Sequence, residues 1–191
     1  MWTFRIERMR ATVVTVSDGC ARGQRVDLSG PRVAEMLVAG GFRVENVVVA
    51  DERAEIEAVL RRAADGSRLV VTTGGTGIGP RDVTPEATRA VCERVLEGFG
   101  ERMRAEGLKQ TRFAPLSRAL AGTVGETLIV NLPGSPDGAR ASLEAVMGLI
   151  PHALALLAGD TEHAGTDVGL KDENKNTEAE NQKRRETRGA R

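Results

Sequence analysis

Three short runs rich in β-branched residues, at 11–16, 43–49 and 69–73, alternate with stretches suited to helices. No other feature constrains the chain as much. The first run shows little period-of-two alternation, as a strand does when both faces are covered, and the third reads as a buried strand. The first run ends in Ser17-Asp18-Gly19, and a polar loop leads to Asp27-Leu28-Ser29-Gly30-Pro31. There Ser29 or Gly30 can cap a helix over 31–39 that stops at Gly40-Gly41. The second run ends near Asp51 and precedes a helix over 53–64; the third precedes a helix over 85–96. Strand and helix repeated in this order predict an α/β fold, a parallel sheet with helices on both faces. Ligands bind such sheets beyond the carboxyl ends of the strands, where Ser17, Asp18, Asp51 and the loop after residue 73 all fall.

That loop, Thr72-Thr73-Gly74-Gly75-Thr76-Gly77-Ile78-Gly79-Pro80, spends four glycines where the third strand ends. Glycine forfeits packing and costs conformational entropy, so this density implies a close approach to the backbone. Arg81 and Asp82 follow, then Thr84-Pro85-Glu86, which reads as an N-cap, a Pro at the first helical position and an early acid. A dinucleotide fingerprint would need its glycines after the first strand, and the spacing here fails at Pro80. A Walker A loop needs Gly-Lys-Ser/Thr, and the first lysine of the chain is Lys109. The loop with Arg81 and the capped helix predicts an anion cradle of another kind. Asp51 and Asp82, placed together at strand ends beside this loop, suit Mg²⁺, which takes carboxylates together with substrate phosphates and water. Asp18 and Asp27 also suit turns and helix caps.

Further along, 97–121 reads as irregular or short helical structure. A hairpin is expected around Gly125-Glu126, and Asn131-Leu132-Pro133-Gly134-Ser135-Pro136 breaks its second strand before a long helix over 136–157. The division expected is an N-terminal extension (1–10), one domain (11–164) and a polar tail (165–191) too poor in apolar residues to order itself. The formal net charge is zero and tyrosine is absent, which argues against nucleic acid as a partner. No apolar run approaches the roughly 20 residues that span a bilayer, and the N-terminus lacks a leader's apolar core. Cys20 and Cys92 stand outside any Cys-x-x-Cys pattern, which suits a reduced, cytoplasmic setting. The two histidines, His152 and His163, lie outside the promising loops. Zinc-type clusters and a Ser-His-Asp arrangement are therefore not expected, and Cys20 lacks an activating base. Chemistry that rests on positioning, metal and hydrogen bonds, such as nucleotidyl transfer to an ionised nucleophile, fits what remains.

Thr72-Thr73-Gly74-Gly75-Thr76-Gly77 with Arg81-Asp82-Val83-Thr84-Pro85-Glu86-Ala87 resembles the signature of the molybdopterin adenylyltransferase family, the MogA/MoaB type that includes gephyrin-like G domains. Ser17-Asp18, Asp27-x-Ser29-Gly30, Asp51-Glu52, Gly98-Phe99-Gly100-Glu101, Leu116-Ser117-Arg118 and Asn131-Leu132-Pro133-Gly134-Ser135-Pro136 match in order, over about residues 11–160. The resemblance implies a three-layer α/β/α fold and assembly into trimers or hexamers. It implies a reaction in which Mg-ATP adenylylates molybdopterin and pyrophosphate leaves, with the substrate's terminal phosphate as nucleophile. Asp51 and Asp82 carry over as catalytic, metal-organising residues. The cradle and pocket would comprise Ser17, Asp18, Thr73, Gly74, Gly75, Thr76, Gly77, Arg81, Ser117, Pro133, Gly134 and Ser135. The molybdate-insertion protein is a partner implied in the same way. A binding-only paralogue of the same fold, holding the pterin without transfer, and a related domain acting on another nucleotide or pterin remain alternatives at this level.

Overall fold

The computed structural model describes residues 9–160. Residues 1–8 of the expected extension and all of the expected tail lie outside it. The described chain runs β1 (Arg10–Val16), a single turn α1 (Asp18–Ala21), α2 (Ser29–Ala39), β2 (Arg43–Val49), α3 (Arg53–Gly66), β3 (Leu69–Thr73) and α4 (Thr84–Val91). It continues through β4 (Arg94–Leu96), α5 (Glu97–Gly107), a 3₁₀ turn at Ala114–Leu116, β5 (Ala121–Val124), β6 (Thr127–Leu132), α6 (Pro136–Met147) and α7 (Ile150–Leu157). The six strands form one sheet in the order β2-β1-β3-β6-β5-β4. β1, β2, β3 and β6 are mutually parallel, and β5 alone runs against its neighbours.

Alternate residues of the central strands feed two separate cores. Val13, Val71 and Val130 pack with Val33 and Leu37 of α2, Met103 of α5, and Leu143 and Leu154 of α6 and α7. Val14, Val70 and Ile129 face the other way, against Ile56 and Leu60 of α3 and Ala87 of α4. Each such side chain removed from water contributes about 1.5–3 kcal/mol, which explains why these strands carry apolar residues on both faces. The result is the expected three-layer α/β/α arrangement. α2 leaves β1 on one face and α4 leaves β3 on the other, so a crevice opens beyond the carboxyl ends of these adjacent strands.

Several local expectations are corrected. The helix expected over 85–96 ends at Val91, and 94–96 form β4 on the edge of the sheet. Gly122 makes that pairing close, since a Cβ there would lie 2.6 Å from Cys92 Sγ and 2.7 Å from the Arg94 carbonyl. Of residues 97–121, expected as irregular or short helical structure, 97–107 form a helix of 11 residues. Gly100 is needed inside it, because a Cβ would lie 2.5 Å from the Ala119 carbonyl. The helix expected over 136–157 breaks into α6 and α7, bent by 59° after Gly148. Pro151, in the first turn of α7, lacks the N–H that a continuous helix would use there. The caps also differ. Asp27, rather than Ser29 or Gly30, receives the first amides of α2, from Ser29 at 3.1 Å and Gly30 at 2.9 Å. Thr84 does not cap α4; its hydroxyl donates to the Gly74 carbonyl at 2.9 Å. Among the described residues, no single helix is long and apolar enough to cross a membrane.

Candidate active site

Three strand ends meet at the crevice. Ser17 continues β1, its amide donating to the Val49 carbonyl of β2 at 2.9 Å, and its Oγ caps α1 by accepting from the Cys20 amide at 3.3 Å. This turn places Asp18 against Asp51. The Asp18 amide donates to Asp51 Oδ2 at 2.7 Å, and the Asp51 amide donates to Asp18 Oδ1 at 3.3 Å. Arg81 reaches across from the glycine loop. Its Nε and Nη2 grip Asp18 Oδ2 at 3.2 and 2.9 Å, and its Nη1 donates to Glu52 Oε1 at 2.7 Å. Arg81, expected as an anion ligand, is thus committed to two carboxylates in this state.

The glycine loop is built by contact with its neighbours. Gly74 has φ +96° and passes so close to β1 that a Cβ would lie 2.3 Å from the Val16 carbonyl. Gly75 has φ +63°, and its Cβ would strike Thr84 Oγ1 at 2.2 Å. Asp82 closes the loop, since its Oδ2 accepts from the Gly79 amide at 2.7 Å and its own amide donates to the Gly79 carbonyl at 3.0 Å. The amides of Gly75, Thr76, Gly77 and Ile78 donate to no acceptor among the described residues. Successive free amides of this kind form an anion-binding concavity.

Two cavities lie on either side of the 133–136 segment, whose Gly134 abuts Gly74, a Cβ there being 3.2 Å from the Gly74 Cα. One, of about 120 Å³, is polar, with Thr15, Ser17, Asp27, Ser29, Thr73 and Gly134 in its wall. The Thr15 hydroxyl donates to Asp27 Oδ2 at 2.6 Å, and Ser29 Oγ to Thr73 Oγ1 at 3.3 Å. The other, of about 190 Å³, is more apolar and includes Met103, Phe113, Ser117, Pro133, Ser135 and Ser142. Ser135 also caps α6, accepting from the Gly138 amide at 3.3 Å. The expected residues therefore separate. Ser17, Thr73 and Gly134 line the polar side, Ser117, Pro133 and Ser135 the other, while Asp18, Asp51, Arg81 and Asp82 belong to the rim beside the loop. The sequence offered no role for Thr15, a weaker claim for Asp27 than for Asp51 and Asp82, a capping role for Ser29, and for Asp27, Ser29 and Arg118 places in a motif. Placing Thr15 at the last inward position before Ser17 would have found it. Cys20 lines the polar cavity, Cys92 is pushed up to about 11 by burial and the Glu93 charge, and His152 lines neither cavity.

Electrostatics distinguish the acids. Burial pushes the Asp51 carboxyl above its usual range; the Asp18 amide and Arg81 oppose this, and the charges of Asp18 and Asp82 add to it. Burial also acts upward on Asp18, but Arg81, the Asp51 amide and Arg22 outweigh it and hold the carboxyl below its usual range. Asp51 and Asp82 each leave Oδ1 without a donor among the described residues. No group of three or more His, Cys, Asp or Glu could hold a metal there, among the described residues. Each of these two carboxylates keeps a free oxygen of the kind Mg²⁺ takes beside phosphate oxygens and water, and a cation there would relieve the repulsion of Asp51 by Asp82.

A raised carboxyl means that ionised Asp51 costs stability once the pH exceeds its ordinary value, near 3.9 in an unfolded chain. Asp51→Asn is therefore expected to raise Tm at pH 7 by about 1–3 °C, a gain that disappears below about pH 4, where both states are protonated. Asp18 works in the opposite sense, its stabilisation being lost as pH falls through its lowered value. Calorimetry of the variant across pH 3–8 checks the prediction, and a lower Tm at pH 7 would contradict it.

A three-layer α/β/α domain with a glycine cradle and paired aspartates at the carboxyl edge defines the class. The family described as "Probable molybdopterin binding domain" matches residues 12–152, and the chain belongs to it. The chain is similar to the molybdopterin adenylyltransferase of Helicobacter pylori, 44% identical over 78% of this chain and 87% of that protein. Its fold is similar to the molybdopterin biosynthesis enzyme MoaB of Thermus thermophilus, 50% identical with a TM-score of 0.74, covering 79% of this chain and 97% of that one. The Mog protein of Mycobacterium ulcerans is 40% identical with a TM-score of 0.74, over 78% and 99% of the respective chains.

Proposed function

We propose that this chain is a molybdopterin adenylyltransferase acting in molybdenum cofactor biosynthesis. The observation that carries the reading is the Asp51–Asp82 pair standing beside the free amides of Gly75–Ile78. The reaction forms a bond from an oxygen of molybdopterin's terminal phosphate to the α-phosphorus of ATP. It breaks the α-phosphorus–oxygen bond to pyrophosphate, which leaves with the electron pair. The nucleophile is already ionised, so no general base is required, in accord with the absence of a histidine from the linings of both cavities. The amides of the glycine loop bind phosphate oxygens, and the two cavities on either side of the 133–136 segment suit a reaction that must hold two substrates. Asp51 and Asp82 would hold Mg²⁺ through the nucleotide; when bound, the ion neutralises charge on the phosphates and on the leaving pyrophosphate.

The assay is pyrophosphate release from the full chain with molybdopterin and ATP, with Mg²⁺ present or chelated. Release is expected only with all three present, and chelation is expected to lower the rate by at least about a hundredfold. Molybdopterin binding without pyrophosphate release would instead mark a binding-only paralogue. Assembly into trimers or hexamers belongs to the same proposal, supported by exposed Leu108, Phe113 and Leu116, and sedimentation as a monomer at micromolar concentration would refute it. A cytoplasmic setting is supported by the two free cysteines. The molybdate-insertion protein is the partner this product would require.

A further inference from the structure

Arg118 lies between the 3₁₀ turn and β5, and the reading above leaves it without a role. Its own amide donates to the Thr76 carbonyl at 2.8 Å, and its Nε donates to the Gly77 carbonyl at 2.6 Å. Nη2 donates to the Asp82 carbonyl, and Nη1 pairs with Glu86. One residue therefore draws in three carbonyls from both arms of the glycine loop. In a trans peptide the C=O of one residue points opposite to the N–H of the next. Carbonyls of Thr76, Gly77 and Asp82 turned toward Arg118 consequently turn the amides of Gly77, Ile78 and Val83 away from it. Those three amides donate to nothing among the described residues.

We propose that Arg118 is the positioning residue of the cradle: it fixes the peptide planes so that the Gly77 and Ile78 amides face the nucleotide's phosphates. Its hold on the loop does not depend on the ligand, since Nε, Nη1 and Nη2 each already have a partner within the fold. Arg118 is held in turn from α5. Arg104 Nη1 donates to the Ala119 carbonyl at 2.9 Å and the Ser117 carbonyl at 3.4 Å, bracketing Arg118 in the chain. Gly100 lets the helix come close enough for this, as its missing Cβ would lie 2.5 Å from the Ala119 carbonyl. Glu86, at the start of α4, fixes the remaining edge of the fork. The planar, rigid guanidinium suits acceptors arranged around it, and a lysine ammonium cannot reproduce that arrangement.

The inference rests on the adenylylation reading, and the test separates the two. Titration calorimetry on the full chain compares wild type, Arg118→Met and Arg118→Lys against Mg-ATP, Mg-pyrophosphate, adenosine and molybdopterin. Arg118→Met is expected to weaken Mg-ATP and Mg-pyrophosphate by about tenfold or more, with Arg118→Lys intermediate and adenosine and molybdopterin within about twofold of wild type. Equal loss for all four ligands with a lowered Tm would make Arg118 merely structural, and unchanged pyrophosphate affinity would also overturn its role. Should Arg118→Met fail to fold, Arg118→Lys carries the comparison, with about threefold weakening expected for the phosphate ligands alone and none overturning the proposal. A wild type that binds neither Mg-ATP nor Mg-pyrophosphate would sink the adenylylation reading and this inference together.

Discussion

Asp82→Asn is expected to lower turnover by at least about a hundredfold, the scale on which removing a charge-organising group from a phosphoryl site acts. The loop itself should survive. An asparagine oxygen can still accept the Gly79 amide that Asp82 Oδ2 holds at 2.7 Å, and the Asp82 amide keeps its bond to the Gly79 carbonyl. What is lost is the negative charge, and with it the donor that would share Mg²⁺ with the nucleotide. Molybdopterin affinity should stay within about twofold of wild type. Steady-state rates together with pterin titration distinguish this from general damage. Equal turnover by variant and wild type would remove Asp82 from the mechanism, and loss of pterin binding would mean the loop had collapsed. Asp51→Asn should lose turnover similarly while gaining thermal stability, because its charge is partly buried and repelled by two neighbouring acids.

Gly74→Ala is expected to cost about 2–4 kcal/mol of folding stability and to abolish nucleotide binding. Two effects combine at this position. The backbone has φ +96°, which strains any L side chain, and the new Cβ would lie 2.3 Å from the Val16 carbonyl, a backbone atom of β1 that cannot swing aside. Relief would require β3 and β1 to separate at the point where the ligand crevice opens. Gly125→Ala is the control, because its φ is +51° but nothing lies within 4 Å of the added Cβ. It should cost only the left-handed penalty, about 1 kcal/mol, with activity retained. Urea unfolding of both variants gives the comparison, and equal destabilisation would show that the approach to Val16 is immaterial.

Much of the architecture was legible because it rests on local patterns. Residues 11–16, 43–49 and 69–73 are strands as expected, and the turn at Gly125 closes the expected hairpin. The misses share one cause. Residues 94–96 carry enough helix propensity to extend α4, yet the open edge of β5 and the bare face of Gly122 pull them into the sheet. Gly98, Gly100 and Gly107 argue against a helix locally, but Phe99 and Met103 bury themselves against the sheet and the helix forms. At the site, Asp51 and Asp82 stood out in the sequence only as a pair at strand ends beside a glycine loop, since either alone reads as a cap or a solvated loop residue. Thr15 and Arg118 could not, since a threonine inside a strand and an arginine in an arginine-rich chain look ordinary in sequence.

The sequence by itself determined most of the elements, the α/β class and the chemistry on offer: a glycine loop and two acids. Apolar periodicity, glycine density and residue type are local properties, so they can be read without coordinates. Only the tertiary structure decided how those parts face one another. It committed Arg81 to Asp18 and Glu52, turned Thr84 from a cap into a tie to Gly74, and brought Arg118 across 41 residues of chain to the Gly77 carbonyl. Which hydrogen bonds a side chain makes depends on distances closed by packing, and no local pattern records them.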